Sequence, residues 1–131
     1  MARAFATHLM FEGQAEQAMA FYVALFEGSR VLSCERYAAG EAGAPGSIKV
    51  ARFQLGGQLF SCADSPVKHA FGFTPSMSIF VDCEGEGELE RAFAELSAGG
   101  GVLMPLGSYG FSRRFGWVND RFGVSWQLNL P

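Results

Sequence analysis

The sequence predicts an α+β protein built from two tandem βαβββ modules, whose sheets curve around a cleft and keep their helices on the outside. Three observations carry that prediction. Strand-like and helix-like patterns run in the order βαβββ and then run through the same order again. A shift of 71 positions lays Tyr22 on Phe93, Leu25 on Leu96, Val31 on Val102 and Leu32 on Leu103. The 17 glycines cluster between apolar runs, where tight turns need φ > 0, while the 13 phenylalanines lie mostly within those runs. Modules at about 1–66 and 74–131 follow, within a single domain of 131 residues.

Each element has its own warrant. Phe5 to Phe11 is a short apolar run and reads as a strand. Between Gln14 and Phe26 the apolar residues Ala15, Ala18, Met19, Tyr22, Leu25 and Phe26 fall on one helical face, and Gly28 follows as a C-terminal stop. Arg30 to Tyr37 is strand-like, and AAGEAGAPG after it is a loop. Ser47 to Leu55 and Gln58 to Ala63 meet at Gly56-Gly57, a hairpin signal. The second module opens with a strand from Ser76 to Asp82. A helix follows from Glu86 to Ser97 with Leu89, Ala92, Phe93 and Leu96 on one face. Gly99-Gly100-Gly101 leads into strands at Val102–Gly107, Phe115–Asn119 and Val124–Leu130.

Composition excludes several classes. With 49% hydrophobic and 18% charged residues the chain is not a disordered one. No uncharged stretch is long enough to span a bilayer, and no apolar segment of signal-peptide type opens the chain, so no membrane association is expected. A net charge of −3 cannot supply the broad basic face of a general nucleic-acid binder. Cys34, Cys62 and Cys83 include no CxxC pair and read as reduced thiols of a cytoplasmic protein. The triple glycine follows a helix and opens a strand, the reverse of a dinucleotide fingerprint, so it is a turn. No glycine-rich strand-to-helix loop is present to hold S-adenosylmethionine in the Rossmann manner, and no cofactor is expected.

Three segments carry a family resemblance: LMFEGQAEQAMAFYVALF near the start, FTPSMSIFVDC in the middle and VLMPLGSYGFSRRFGWVNDRFGVSWQLNLP at the end. In this order they resemble the PhnB-like branch of the vicinal oxygen chelate superfamily, the glyoxalase, bleomycin-resistance and dioxygenase proteins. WVNDRFGVSWQL is the most specific piece. The resemblance implies the glyoxalase/bleomycin-resistance-like fold and a homodimer. In metal-dependent relatives four ligands hold a divalent cation that stabilises an enediolate. Carried over residue by residue, the last-strand glutamate falls on Gln127 of DRFGVSWQ. The ligand of the second module's first strand falls on Ser76, its first-module counterpart on Ala6 or Thr7, and the fourth near Ser61. The expectation is therefore that the inherited metal site is lost, even with His8 and Asp64 admitted as donors.

Strand alternation then predicts the site. The aliphatic faces, with Leu9 and Phe11, Met77, Ile79 and Val81, and Val124, Trp126 and Leu128, are expected under the helices. The opposite faces bring His8, Met10, Ser61, Ser76, Ser78, Trp117 and Gln127 to a ligand pocket, with Trp117 as a stacking surface. The expected partner is a small organic molecule. The alternative is an isomerase-, lyase- or dioxygenase-type enzyme that uses an unusual metal set or His8 as its acid–base group.

Overall fold

A computed structural model describes residues 1–131 and divides them into two compact units, Met1–His69 and Ala70–Pro131. The first unit runs β1 (Thr7–Phe11), α1 (Ala15–Leu25), β2 (Arg30–Arg36), β3 (Ile48–Leu55) and β4 (Gln58–Asp64). The second runs β5 (Ile79–Asp82), α2 (Glu86–Ser97), β6 (Gly101–Gly107), β7 (Arg114–Asn119) and β8 (Ser125–Leu130). Each unit holds one four-stranded sheet, ordered β1-β4-β3-β2 in the first and β5-β8-β7-β6 in the second. The first and last strands of each unit pair in parallel, and the remaining pairs are antiparallel. The α+β class with two βαβββ modules is what the repeated pattern predicted.

Each helix lies on its own sheet because its apolar stripe needs cover. From α1, Ala15, Ala18, Met19, Tyr22 and Leu25 are buried; from α2, Leu89, Ala92 and Leu96 are. Both helices leave through a glycine in the left-handed region, Gly28 at φ 73° and Gly99 at φ 75°, which a side chain would strain. Beneath α1, Phe53 and Phe60 stack with ring centroids 5.2 Å apart, and both are fully buried. Burying such a side chain is worth about 1.5–3 kcal/mol. In the second unit Trp126, Leu128 and Leu130 of β8 and Val118 of β7 form the equivalent core.

One predicted strand starts late. The alternation from Ser76 onward reads as strand, yet β5 begins only at Ile79. Thr74 to Met77 is a turn in which the Met77 N–H donates to the Thr74 carbonyl at 3.3 Å, with Pro75 at the position whose φ proline presets. Met77 is consequently not under α2 but 71% exposed. No helix is long and apolar enough to cross a membrane.

Candidate functional site

In the second unit the face away from α2 can be built from pairing alone. Side chains alternate along a strand, and paired residues share a face. Gly116 of β7 abuts Phe93 of α2, and the side chain of Arg114 reaches Glu86 and Glu90 of α2, so Arg114, Gly116 and Val118 lie on the helix side. The other face therefore carries Phe115, Trp117 and Asn119 of β7. On β8 it carries Ser125, Gln127 and Asn129, and on β5 Phe80 and Asp82. The register sets these in rows. Phe80 pairs with Gln127, Gln127 with Trp117, and Trp117 with Met104. Asp82 pairs with Asn129 and Asn129 with Phe115.

A hydrogen-bonded group ties the first of these rows to Ser78 and to Ser125, which pairs with Asn119. The Ser125 hydroxyl lies 2.7 Å from the Ser78 hydroxyl and accepts from Trp117 Nε1 at 2.8 Å. Gln127 Nε2 donates to Ser78 Oγ at 3.2 Å. Ser125 is almost wholly buried and acts as the hub. Three of the residues expected at the site, Ser78, Trp117 and Gln127, are thus joined in one chain of hydrogen bonds with a fourth, Ser125, whose only signal in the sequence was its place in the same alternation. Ser76 is not among them: it lies in the turn before β5, with its hydroxyl 2.7 Å from that of Thr74. At the far end Phe80, Phe115, Tyr109 and Phe111 form an aromatic group. Phe111 and Phe115 stand edge to face at 5.0 Å, and Phe80 lies 6.4 Å from Phe115.

In the first unit His8 pairs with Ser61 across the parallel ladder, and His8 Nδ1 lies 2.6 Å from Ser61 Oγ. Met10 shares their face, two residues along β1. Leu9 and Phe11 are buried on the other side, as the alternation required. Asp64 does something local sequence could not reveal. Its Oδ1 accepts from the Gly13 and Ala15 backbone N–H groups at 2.8 and 3.0 Å, and its Oδ2 from the Ile48 N–H at 3.0 Å. Buried with both oxygens engaged, it ties the start of α1 and the start of β3 to the end of β4. Asp120 plays a similar part in the second unit, accepting from the Phe122 and Val124 N–H groups and from Trp126 Nε1.

The positions onto which the resemblance was expected to place metal ligands carry amide, hydroxyl or methyl groups, and Gln127 and Ser61 are already bonded to neighbours. Such donors do not match the anionic oxygen and imidazole set that a divalent cation prefers. No three His, Cys, Asp or Glu side chains gather closely enough to hold one. The buried thiols are not poised as nucleophiles. Burial, helped by the nearby Asp64 charge, pushes Cys62 up to about 12, and burial pushes Cys83 up to about 11.

This architecture is the glyoxalase/bleomycin-resistance-like fold. A glyoxalase/bleomycin resistance protein/dioxygenase domain from Frankia shares it, with a TM-score of 0.66 at 14% identity over 99% of this chain and 98% of that one. Two nearer structures match more fully. A PhnB protein from Bacillus cereus, described as a candidate 3-demethylubiquinone-9 3-methyltransferase, is 51% identical over 98% of this chain and all of that one, with a TM-score of 0.95. Protein PA1353 from Pseudomonas aeruginosa is 28% identical over 98% of each chain, with a TM-score of 0.85. The family model described as 3-demethylubiquinone-9 3-methyltransferase matches residues 3–129. The chain belongs to that family, the PhnB-like branch of the vicinal oxygen chelate superfamily. No curated protein matches the sequence.

Proposed function

We propose that the protein binds a small organic ligand on the helix-free face of its second unit, without a metal at the inherited positions. The observation that carries this reading is the Ser78–Ser125–Gln127–Trp117 group. It fixes an indole and an amide side by side in one orientation, next to an aromatic group. Preorganised polar groups beside aromatic rings suit a planar organic molecule. Methyl transfer, which the family description names, finds no glycine-rich strand-to-helix loop of the Rossmann kind here. The turns before α1 and α2 each hold a single glycine, Gly13 and Gly85.

The test is ligand-observed NMR of the full chain against a set of planar organic fragments. The expected result is a subset of fragments that shifts the Trp117 indole N–H signal and loses at least fivefold in affinity on Gln127→Ala, with the melting temperature little changed. A set in which no fragment moves that signal overturns the reading. So does elemental analysis finding one tightly held metal per chain that is lost on Gln127→Ala.

A second reading takes His8 as an acid–base group, favoured by its 2.6 Å contact with Ser61, the arrangement by which an imidazole relays a proton. It requires turnover of some substrate that His8→Ala abolishes while His8→Gln fails to restore it.

The proposal extends to a cytoplasmic homodimer. Edge strands β2 and β6 leave Val31, Leu32, Val102 and Leu103 at least 40% exposed, and natural proteins cover such edges. Sedimentation at micromolar concentration should give about twice 14.1 kDa; a single-chain mass counts against it.

A further inference from the structure

The proposed ligand site has an uneven hydrogen-bonding capacity, and that unevenness points to a class of ligand. Three of its donor nitrogens each have a partner: Trp117 Nε1 with Ser125, Gln127 Nε2 with Ser78, and Asn129 Nδ2 with Asp82 at 2.8 Å. The buried side-chain polar atoms left without a partner are both acceptors. Asn129 is 8% exposed and its Oδ1 is buried with no partner, and the Oδ1 of Asn119 on the same face is likewise buried with none. The orientation of the Asn129 amide is forced, because a carboxylate only accepts and Asp82 must therefore face the NH2 end. A buried acceptor without a donor is destabilising, and a donating ligand relieves it.

Charge and aromatic content agree with this. No lysine or arginine stands among the paired residues of this face, and Arg114, the one basic residue of β7, is turned to the helix side and to Glu86 and Glu90. The Asp82 carboxylate lies in the same row as Asn129 and Phe115. Beside that row Phe80 and Phe111 are more than half exposed, offering ring faces to a cation. Arg113, just before β7, donates its Nε to the Pro131 carbonyl; among the paired residues of the face an anion would meet acceptors and negative ring faces, whereas an ammonium would meet the Asp82 carboxylate.

We propose that this face selects a protonated organic amine joined to a planar apolar body, with the ammonium donating to the Asp82 carboxylate and the Asn129 side-chain oxygen and the body against the aromatic group. The inference rests on the ligand-binding reading above and narrows it to one chemical class.

Three probes of the same shape separate the classes: 1-naphthylmethylamine, 1-naphthoate and 1-naphthalenemethanol, each titrated into the 15N-labelled full chain. The amine is expected to bind about tenfold tighter than the naphthoate and to shift the Asn129 side-chain amide and the Trp117 indole signals. Asp82→Asn should remove most of that preference, read as the ratio of the amine and naphthoate affinities. Asn129→Leu should do the same, and its amide spectrum reports whether it folds. Naphthoate binding as tightly as the amine overturns the ligand class and leaves the ligand-binding reading standing. An amine preference that survives Asp82→Asn also overturns the ligand class. Silence from all three probes overturns both.

Discussion

In the first unit α1 runs out through Gly28 into Ser29; seventy-one positions on, α2 runs out through Gly99 into Gly100. The first glycine of each pair is held at positive φ for the same reason in both units. The second position differs because of what packs against it. In the first unit the β3–β4 hairpin turns tightly at Gly56-Gly57, and Ser29 Oγ accepts from the Gly56 N–H at 3.3 Å. In the second the β7–β8 turn is longer, and the Asn119 carbonyl sits directly where a Gly100 side chain would begin. The anchoring carboxylates have moved too. Asp64 closes its unit from the end of β4, whereas Asp120 works from the β7–β8 turn and the end of β8 carries Asn129. The two units thus keep the same strand order while fastening their loops with different residues.

The largest effect expected from breaking this comparison is at the carboxylates. Asp64→Ala leaves the Gly13, Ala15 and Ile48 N–H groups without their acceptor, at a cost of about 3–5 kcal/mol. Asp120→Ala should cost a similar amount, and chemical denaturation of the two variants measures both. A loss below about 1 kcal/mol for either would show that its N–H groups find other partners. The glycine contrast is next in size. Gly100→Ser forces a side chain against the Asn119 carbonyl and should cost about 3 kcal/mol, whereas Ser29→Gly removes one weak hydrogen bond and adds backbone freedom, for about 1 kcal/mol. Equal melting temperatures for the pair would contradict the packing difference.

The smallest effect is chemical. Cys34 is exposed, while Cys62 and Cys83 are buried in their respective units, so a thiol reagent at neutral pH should modify one thiol per native chain and three after denaturation. The same burial ties stability to alkaline pH. The native state keeps the Cys62 and Cys83 protons that the unfolded chain gives up above about 9, so stability should hold below that pH and fall as pH rises toward about 12. A denaturation midpoint unchanged between pH 8 and 11 would contradict this.

Periodicity made the fold legible. Glu86–Ser97 is the helix that the spacing of Leu89, Ala92, Phe93 and Leu96 required, and β2 starts at the predicted Arg30. At β5 the alternation continued through Ser76 and Met77, but Pro75 had already committed those residues to a turn, a local constraint that outweighs a two-residue period. The faces of β7 and β8 were legible for the same reason that β5 was partly not: alternation assigns a face only once the strand is known to be one. Asp64 was beyond that logic, because its partners lie 49 to 51 residues away at α1 and 16 away at β3. Asn129 and Asp82 escaped as well, since only the parallel register of β5 with β8 sets them side by side.

That parallel register also bears on how the chain is made. In each unit the first strand finds its only partner in the last, so β1 has no ladder until residues 58–64 exist, and β5 none until 125–130. During synthesis, hairpins such as β3–β4 can close as they leave the ribosome, but β1 must wait, and contacts of such long sequence separation form slowly. Once Asp64 emerges, the first unit is topologically finished while the second is still being translated. The second reaches that stage only with β8, the one partner of β5. Deleting β8 would therefore strand β5 without a neighbour and leave an unpaired edge for other nascent chains to capture.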